Sequence, residues 1–282
     1  MQEIHTPVLV EELRALFNLK PGNNAVDATM DGGGHTRMML ELIKPGGKVF
    51  GIDQDKAMIK QMSRVKNLAP ALGNFKNLDL LARQKGFGKA RAILFDLGMS
   101  RWHLEQSGRG FSFQKPEEPL LMNLKIGGKS AAEIVNQLSE KELARIFKEF
   151  GEVRQAGGIA GKIVSARRKM RIRSVGDLLN ALGIKDRKQL ARIFQALRIA
   201  TNEELEALEQ GLKKGFDLLL PGGRMAVISY HSLEDRIVKQ FFRSKPALIL
   251  TKKPITPSRK EIFGNPSSRS AKLRVLQKIY FT

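Results

Sequence analysis

The chain has 282 residues, with 49 Lys and Arg against 28 Asp and Glu, no cysteine, a formal charge of +21 and a pI near 10.3. The missing cysteines exclude disulfides, thiolate zinc sites and a cysteine nucleophile, while 42% apolar residues suffice for a packed core. So strong a positive field fits a polyanionic partner, nucleic acid above all, better than a merely solvated basic surface.

Four histidines, His5, His35, His103 and His231, lie too far apart in sequence to suggest a metal cluster, and no metal is expected. The opening MQEIHTPVLVEEL has no basic stretch followed by an apolar one, so it does not read as a secretion signal. No run of 18 or more apolar residues occurs, so no membrane-spanning helix is expected and a cytoplasmic location is.

Val8 to Phe17 reads as an opening helix and Asn24 to Thr29 as a short strand. Asp31-Gly32-Gly33-Gly34 turns that strand into a helix from about Thr36 to Ile43, stopped by Lys44-Pro45-Gly46-Gly47. Lys48 to Ile52 is the next strand, closed by Asp53. A helix follows from Asp55, and Phe75 lies near the end of a third strand. Ala90 to Phe95 is a fourth strand, leading into Asp96-Leu97-Gly98.

There the alternation breaks. From about Ser107 to Ile199 the apolar spacing is helical, as in AAEIVNQL and KELARIF, and Lys141 to Arg198 carries 15 basic against 5 acidic side chains. A helix from Asn202 to Leu220, the turn Pro221-Gly222-Gly223, a strand from Arg224 to Ser229 and a helix from Leu233 restore the alternation. The segment Arg243 to Lys278, ten Lys or Arg with one Glu, runs into LRVLQKIYF, the apolar alternation of a last strand. Helices between strands predict a mostly parallel α/β sheet, with residues 1–106 and 200–282 in one domain and 107–199 as a helical insert.

A glycine turn between strand and helix lets a ligand approach the backbone and the helix N-terminus, and here Gly32, Gly33 and Gly34 supply it. Asp53 ends the following strand, where a carboxylate can accept both hydroxyls of a ribose. A tight turn beside a solvated Asp is the plainer alternative. A dinucleotide fingerprint would place its third glycine where this chain has Arg37, which disfavours a nicotinamide-dependent dehydrogenase. Asp27, Asp31, Asp53 and Asp96 form an acidic rim in a basic protein, which favours a cationic cofactor over a phosphorylated one.

Eight stretches then pass from generic to specific: HTPVLVEE at His5, DATMDGGGHT at Asp27, GIDQD at Gly51, DLGMS at Asp96, RGFSF at Arg109, FQALRIATNEEL at Phe194, PGGRMAVISYHSLEDRIVK at Pro221 and NPSSRSAKLRV at Asn265. Together they resemble the RsmH (MraW) family along the whole chain. The resemblance implies a class I S-adenosylmethionine-dependent methyltransferase (Rossmann-like) fold with an inserted all-helical RNA-recognition domain. It implies S-adenosyl-L-methionine as cofactor, the small ribosomal subunit and its 16S rRNA as partner, and methylation of the exocyclic N4 of a cytidine in the decoding region. Position by position it implies Gly33, Gly34 and His35 at the turn, Asp53 for the ribose, Phe75 against the adenine, Asp96 near the methionine end, and His103 where the family usually has glutamine.

The chain departs from the family pattern elsewhere. Asp31 stands where the turn usually has glycine, Leu121 and Asn123 replace an acidic and a basic residue after RGFSF, and Val153 and Gly158 replace charged residues. A divergent ribosome-assembly factor that keeps the fold and binds rRNA with weak or no catalysis is therefore the alternative reading.

A cytosine amine is a poor nucleophile because its lone pair is delocalised, so an acceptor that draws on its N–H and positions it is the group to look for. Asp96 is the candidate catalytic residue, with a backbone carbonyl or Asp235 as alternatives. Phe111, Phe113 and Tyr230 read either as core or as faces on which a displaced base can stack. The run Arg167-Arg168-Lys169-Met170-Arg171-Ile172-Arg173 reads equally as a phosphate contact or a solvated face. His231-Ser232 with Glu234 and Asp235 is too contiguous for a hydrolase triad and reads as structural.

Overall fold

The computed structural model describes residues 6–99, 101–125 and 127–280, so His5 lies outside the described residues. The chain divides into two compact units, residues 1–100 with 205–282, and residues 101–204.

The first unit opens with α1 (Val10–Phe17), β1 (Ala25–Asp27), α2 (Gly34–Leu42), β2 (Val49–Asp53), α3 (Lys56–Met62) and β3 (Leu68–Leu72). A 3-10 turn at Phe75–Asn77, α4 (Leu78–Gln84) and β4 (Ala90–Asp96) follow. The central strands are apolar on both faces. In β4, Ala92 and Leu94 join one core while Ile93 and Phe95 join the other, and all four are fully buried. Such strands need helices on both sides. Leu13 and Phe17 of α1 and Met38 and Met39 of α2 cover one face, and Leu78 and Ala82 of α4 pack on the other.

The second unit holds α5 (Arg101–Glu105), α6 (Ala131–Gln137), α7 (Glu140–Gly151), α8 (Ala156–Lys169), α9 (Val175–Leu182) and α10 (Arg187–Asn202), with no strand among the described residues. Three of these helices start on a serine whose hydroxyl accepts the amide three residues on, where an acid bonds back: Ser130 with Glu133, Ser139 with Glu142, Ser174 with Asp177. The pattern S-x-x-E/D satisfies helix N–H groups that otherwise lack partners. α7 packs on α8 and α10, and Val153, just past its end, is buried where the family pattern has a charge. Gly158 instead lies exposed in α8 with open space beside it.

The basic run after α8 is not uniform. Arg167 turns inward, and its Nη1 donates to the carbonyls of Val135 and Leu138 at 2.7 and 2.6 Å, closing the C-terminus of α6. Arg168, Arg171 and Arg173 are exposed. Asn136 pins the stretch between them, donating to Ile172 O at 2.7 Å and accepting from Ile172 N at 3.1 Å.

The chain then returns through α11 (Glu204–Leu218), β5 (Leu219–Ser229), α12 (Ser232–Arg243), β6 (Ala247–Ile249), α13 (Arg259–Gly264) and β7 (Lys272–Lys278). Among the described residues, seven strands form one sheet in the order β3-β2-β1-β4-β5-β7-β6. All pairings from β3 to β5 are parallel, and β7 runs antiparallel to both β5 and β6. β7 enters the sheet between β5 and β6, reached from β6 through α13 and a 3-10 turn at Pro266–Ser270. None of the described helices is long and apolar enough to cross a membrane.

Strand order positions the site. From β1 the chain moves outward to β2 and β3, then returns to place β4 on the other side of β1. β2 and β4 thus lie on opposite sides of β1, the reversal of strand order beyond whose carboxyl ends doubly wound sheets bind their ligands.

Candidate active site

Asp27, Asp53 and Asp96 each end one of the neighbouring strands β1, β2 and β4. Asp27 is fully buried. It accepts the Thr36 hydroxyl at 2.6 Å and the Thr29 amide at 3.3 Å. Burial pushes its carboxyl above the usual carboxylate range, opposed by His35 and the Thr36 hydrogen bond. Asp53 accepts the amides of Asp31 and Asp55 on separate oxygens, both at 2.7 Å. Burial outweighs those bonds and pushes its carboxyl up to about 6.

Asp96 is buried, and its amide donates to Thr29 Oγ1 at 2.7 Å. Its Oδ1 accepts the Tyr230 hydroxyl at 3.0 Å and the Gly98 amide at 3.3 Å. Its Oδ2 faces His35 Nδ1 at 3.5 Å. The other ring nitrogen of His35, Nε2, lies 2.9 Å from the carbonyl of Val8. A carbonyl only accepts, so Nε2 is the donor, and Nδ1 is the nitrogen left facing Asp96.

The turn between β1 and α2 holds its shape by two left-handed residues, Asp31 at φ 43° and Gly33 at φ 80°. Asp31 thus takes up the conformation that glycine usually supplies there, and aspartate tolerates it better than most residues. Arg37 explains why the dinucleotide fingerprint fails. Its Nη1 donates to Gly32 O at 2.8 Å and Nη2 to Met62 Sδ at 3.5 Å, so the guanidinium braces the turn.

The expected site residues in the first unit, Gly33, Gly34, His35, Asp53 and Asp96, therefore follow the carboxyl ends of adjacent strands, and hydrogen bonds tie their segments together. Phe75, in the 3-10 turn after β3, is partly buried and meets the edge of Phe95 with ring centroids 5.6 Å apart. His103 belongs to the second unit, where it is buried with its ring against Trp102 and Phe111, at 5.1 and 6.0 Å. Phe111 is buried in the same cluster, and Phe113 packs edge-on to Phe194 with Arg187 over it at 5.9 Å. Asn123, at one of the departures, donates to Gly128 O at 3.1 Å and closes a turn.

Two residues carry more than their sequence signal suggested. Thr36 holds the buried Asp27, and the pattern that reveals it is a hydroxyl in the first turn of the helix after an acidic strand end. Tyr230 holds Asp96, a contact between residues far apart in the chain that strand order alone brings together. Asp235, the other possible acceptor, is engaged by Arg274 through both oxygens, at 2.6 and 3.1 Å. His231 caps α12: its Nδ1 accepts the Glu234 amide at 3.4 Å, while Glu234 Oε2 accepts the amides of Tyr230 and His231.

The sequence matches the MraW methylase family over residues 2–279. The chain belongs to that family. Its relatives include the ribosomal RNA small subunit methyltransferase H of Dictyoglomus thermophilum, 43% identical over 98% of this chain and 97% of that protein. The protein of the same name from Thermomicrobium roseum is 41% identical over 98% of this chain and 94% of its own length. That of Bacteroides fragilis is 37% identical over 97% of each. An MraW methylase draws its methyl group from S-adenosylmethionine, and the seven-stranded sheet with its antiparallel β7 is the class I methyltransferase arrangement.

The donor set fits that cofactor. Each Asp53 oxygen accepts one backbone amide and retains a lone pair for a ribose hydroxyl. The strand ends carry carboxylates, which suit a sulfonium cation, while the nearby Arg37 is turned onto Gly32.

Proposed function

We propose that this MraW methylase transfers a methyl group to the exocyclic N4 of a cytidine in the decoding region of small-subunit ribosomal RNA, in the cytoplasm. The observation that carries the reading is the match along almost the whole chain to relatives named for methylating small-subunit ribosomal RNA. The excess of 49 basic over 28 acidic side chains supports a polyanionic substrate. The intact carboxylate set around β1, β2 and β4 speaks against the assembly-factor reading, because a non-catalytic factor has no use for a braced Asp96.

Bound S-adenosylmethionine supplies an electrophilic methyl group on sulfur. Asp53 accepts the ribose hydroxyls, Gly33, Gly34 and His35 give the methionine portion a close approach to the turn, and Phe75 borders the adenine. Asp96 accepts a hydrogen bond from the cytosine amine, aims its nitrogen, and takes the proton that the methylated nitrogen sheds. Exposed cations of the helical unit, Arg168, Arg171 and Arg173 among them, hold RNA phosphates. His103, whose ring lies against Trp102 and Phe111, is the remaining cofactor contact in this reading.

Mass spectrometry of nucleosides from small subunits incubated with the protein and the methyl donor tests the reading. N4-methylated cytidine appearing only with the protein supports it. Subunits left unmethylated, by a protein that still binds donor and RNA, return the assembly-factor reading.

A further inference from the structure

Tyr230 follows β5, next to β4 in the sheet, and its hydroxyl donates to Asp96 Oδ1 at 3.0 Å. Its ring lies against the backbone of Gly98, where an added Cβ would come within 2.7 Å of Cε2. That ring is therefore occupied by the chain on this side and is not a free stacking face. We propose that Tyr230 positions Asp96: by holding Oδ1 it fixes the rotation of the carboxylate, and Oδ2, the oxygen beside His35 Nδ1, becomes the one that accepts from the amine.

The geometry makes Tyr230 a lasting donor. Burial, and then the Asp96 charge, hold its hydroxyl well above its usual titration range, so it stays protonated. Its hydrogen bond stabilises the anionic form of Asp96. The charged or titratable groups that bear on the pair are His35 and Asp27 around Asp96, and Glu234 and Glu261 around Tyr230. Of these, His35 faces the other oxygen of Asp96, whereas the three carboxylates disfavour further negative charge. Without the hydroxyl, the carboxylate turns more freely.

The inference rests on Asp96 acting as the amine's acceptor, and the test separates the two. Tyr230→Phe keeps the ring on Gly98 and removes only the hydroxyl. Single-turnover methylation by Tyr230→Phe is expected to fall about tenfold, with donor and RNA affinities unchanged. In the Asp96→Asn background the same change has little further effect, because the group it positions is already altered. A wild-type rate in Tyr230→Phe, with Asp96→Asn slow, overturns the positioning role and leaves Asp96 in place. A fast Asp96→Asn overturns the acceptor reading and the inference with it. Equal losses from Tyr230→Phe in both backgrounds show that Tyr230 acts apart from Asp96. Thermal melting in parallel identifies a variant that fails by unfolding, and the rates are compared at a temperature where both proteins are folded, so that the double-variant comparison decides.

A separate surface carries a second inference. Phe263, on α13, is 91% exposed, the most exposed of the large apolar side chains described. Lys252, Lys253, Arg259, Lys260 and Arg269 around it in sequence are exposed too, and the stretch from Thr251 to Lys272 has one acid, Glu261. Glu261 is engaged, accepting the Leu9 amide at 2.7 Å, and Asn265 donates to Thr6 O at 3.2 Å. These bonds tie α13 to the segment whose Val8 carbonyl holds His35. We infer that this surface takes single-stranded RNA, with Phe263 stacking on a base and the cations on phosphates, beside the strand ends. This extends the RNA reading to the first unit. Affinity for an unstructured RNA oligonucleotide is expected to fall about tenfold in Phe263→Ala with the salt slope unchanged, and to return in Phe263→Trp. Replacing Lys252 and Lys253 by Gln flattens the slope. Wild-type affinity in Phe263→Ala overturns the inference, as does preferential binding of anionic lipid vesicles through this surface. If methylation of subunits persists while the oligonucleotide is ignored, this surface is excluded and the enzyme reading stands.

Discussion

Asp31 donates its backbone amide to Oδ2 of Asp53 at 2.7 Å, and it does so from the left-handed conformation, at φ 43°. The turn after β1 is thereby locked to the end of β2. A residue other than glycine in that conformation carries a steric cost, largest when the side chain is β-branched. Asp31→Gly is expected to keep the hydrogen bond and melt at or above the wild-type temperature. Asp31→Val is expected to lose about 1–2 kcal/mol, seen as a drop of about 3–6 °C in calorimetry. A valine variant that melts with the wild type would mean that the turn does not hold this conformation.

Asp53 gives the pH dependence. Its carboxyl is pushed up to about 6 by burial, and the proposed role of accepting two ribose hydroxyls requires it ionised. Donor affinity should therefore weaken as pH falls through about 6, reaching about tenfold at pH 5 relative to pH 7. For the protein alone the sign is opposite. Between 3.8 and about 6 the folded state holds the proton that the unfolded chain releases, so this group adds stability as pH falls through that window and loses it as pH rises. Asp53→Asn should bind donor more weakly at pH 7, with a flat profile below it. Calorimetry giving wild-type affinity in that variant would remove Asp53 from the ribose.

The basic run divides into one structural and several solvent-facing cations. Arg167→Gln leaves the carbonyls of Val135 and Leu138 without their donor and is expected to cost about 1–2 kcal/mol of stability. Replacing Arg168, Arg171 and Arg173 by Gln should leave the melting temperature within a degree or so. The triple variant should instead flatten the salt dependence of RNA binding, by about 0.7 in log–log slope for each single-strand phosphate no longer neutralised. An unchanged slope would reduce those arginines to solvated side chains.

Much of this was legible in the sequence for definite reasons. The β-strands around the site are short apolar runs each ended by an aspartate, a pattern that needs only neighbours to be read, and Asp53 and Asp96 follow because they end such runs. Strand boundaries and the direction of β7 were less accessible, since pairing is decided across the sheet. Arg167 and Arg168 look alike in sequence, yet one caps α6 and the other meets solvent, because helical phase and the position of a neighbouring helix separate them. The bond from Tyr230 to Asp96 links residues 134 apart. Its only local trace is a tyrosine after an apolar strand, which reads as readily as core or as a stacking face.

The role of Asp96 in methyl transfer stands or falls with Asp96→Asn. Asparagine preserves size and one acceptor oxygen but removes the charge that accepts the amine's proton, so its effect belongs to the chemical step and not to docking. Single-turnover methylation of unmodified small subunits, at saturating donor, excludes product release and weak donor binding from the rate. The expected rate is at least about a hundredfold below wild type, about 3 kcal/mol of forfeited transition-state stabilisation, with RNA affinity unchanged. Transfer at the wild-type rate by Asp96→Asn would contradict that role.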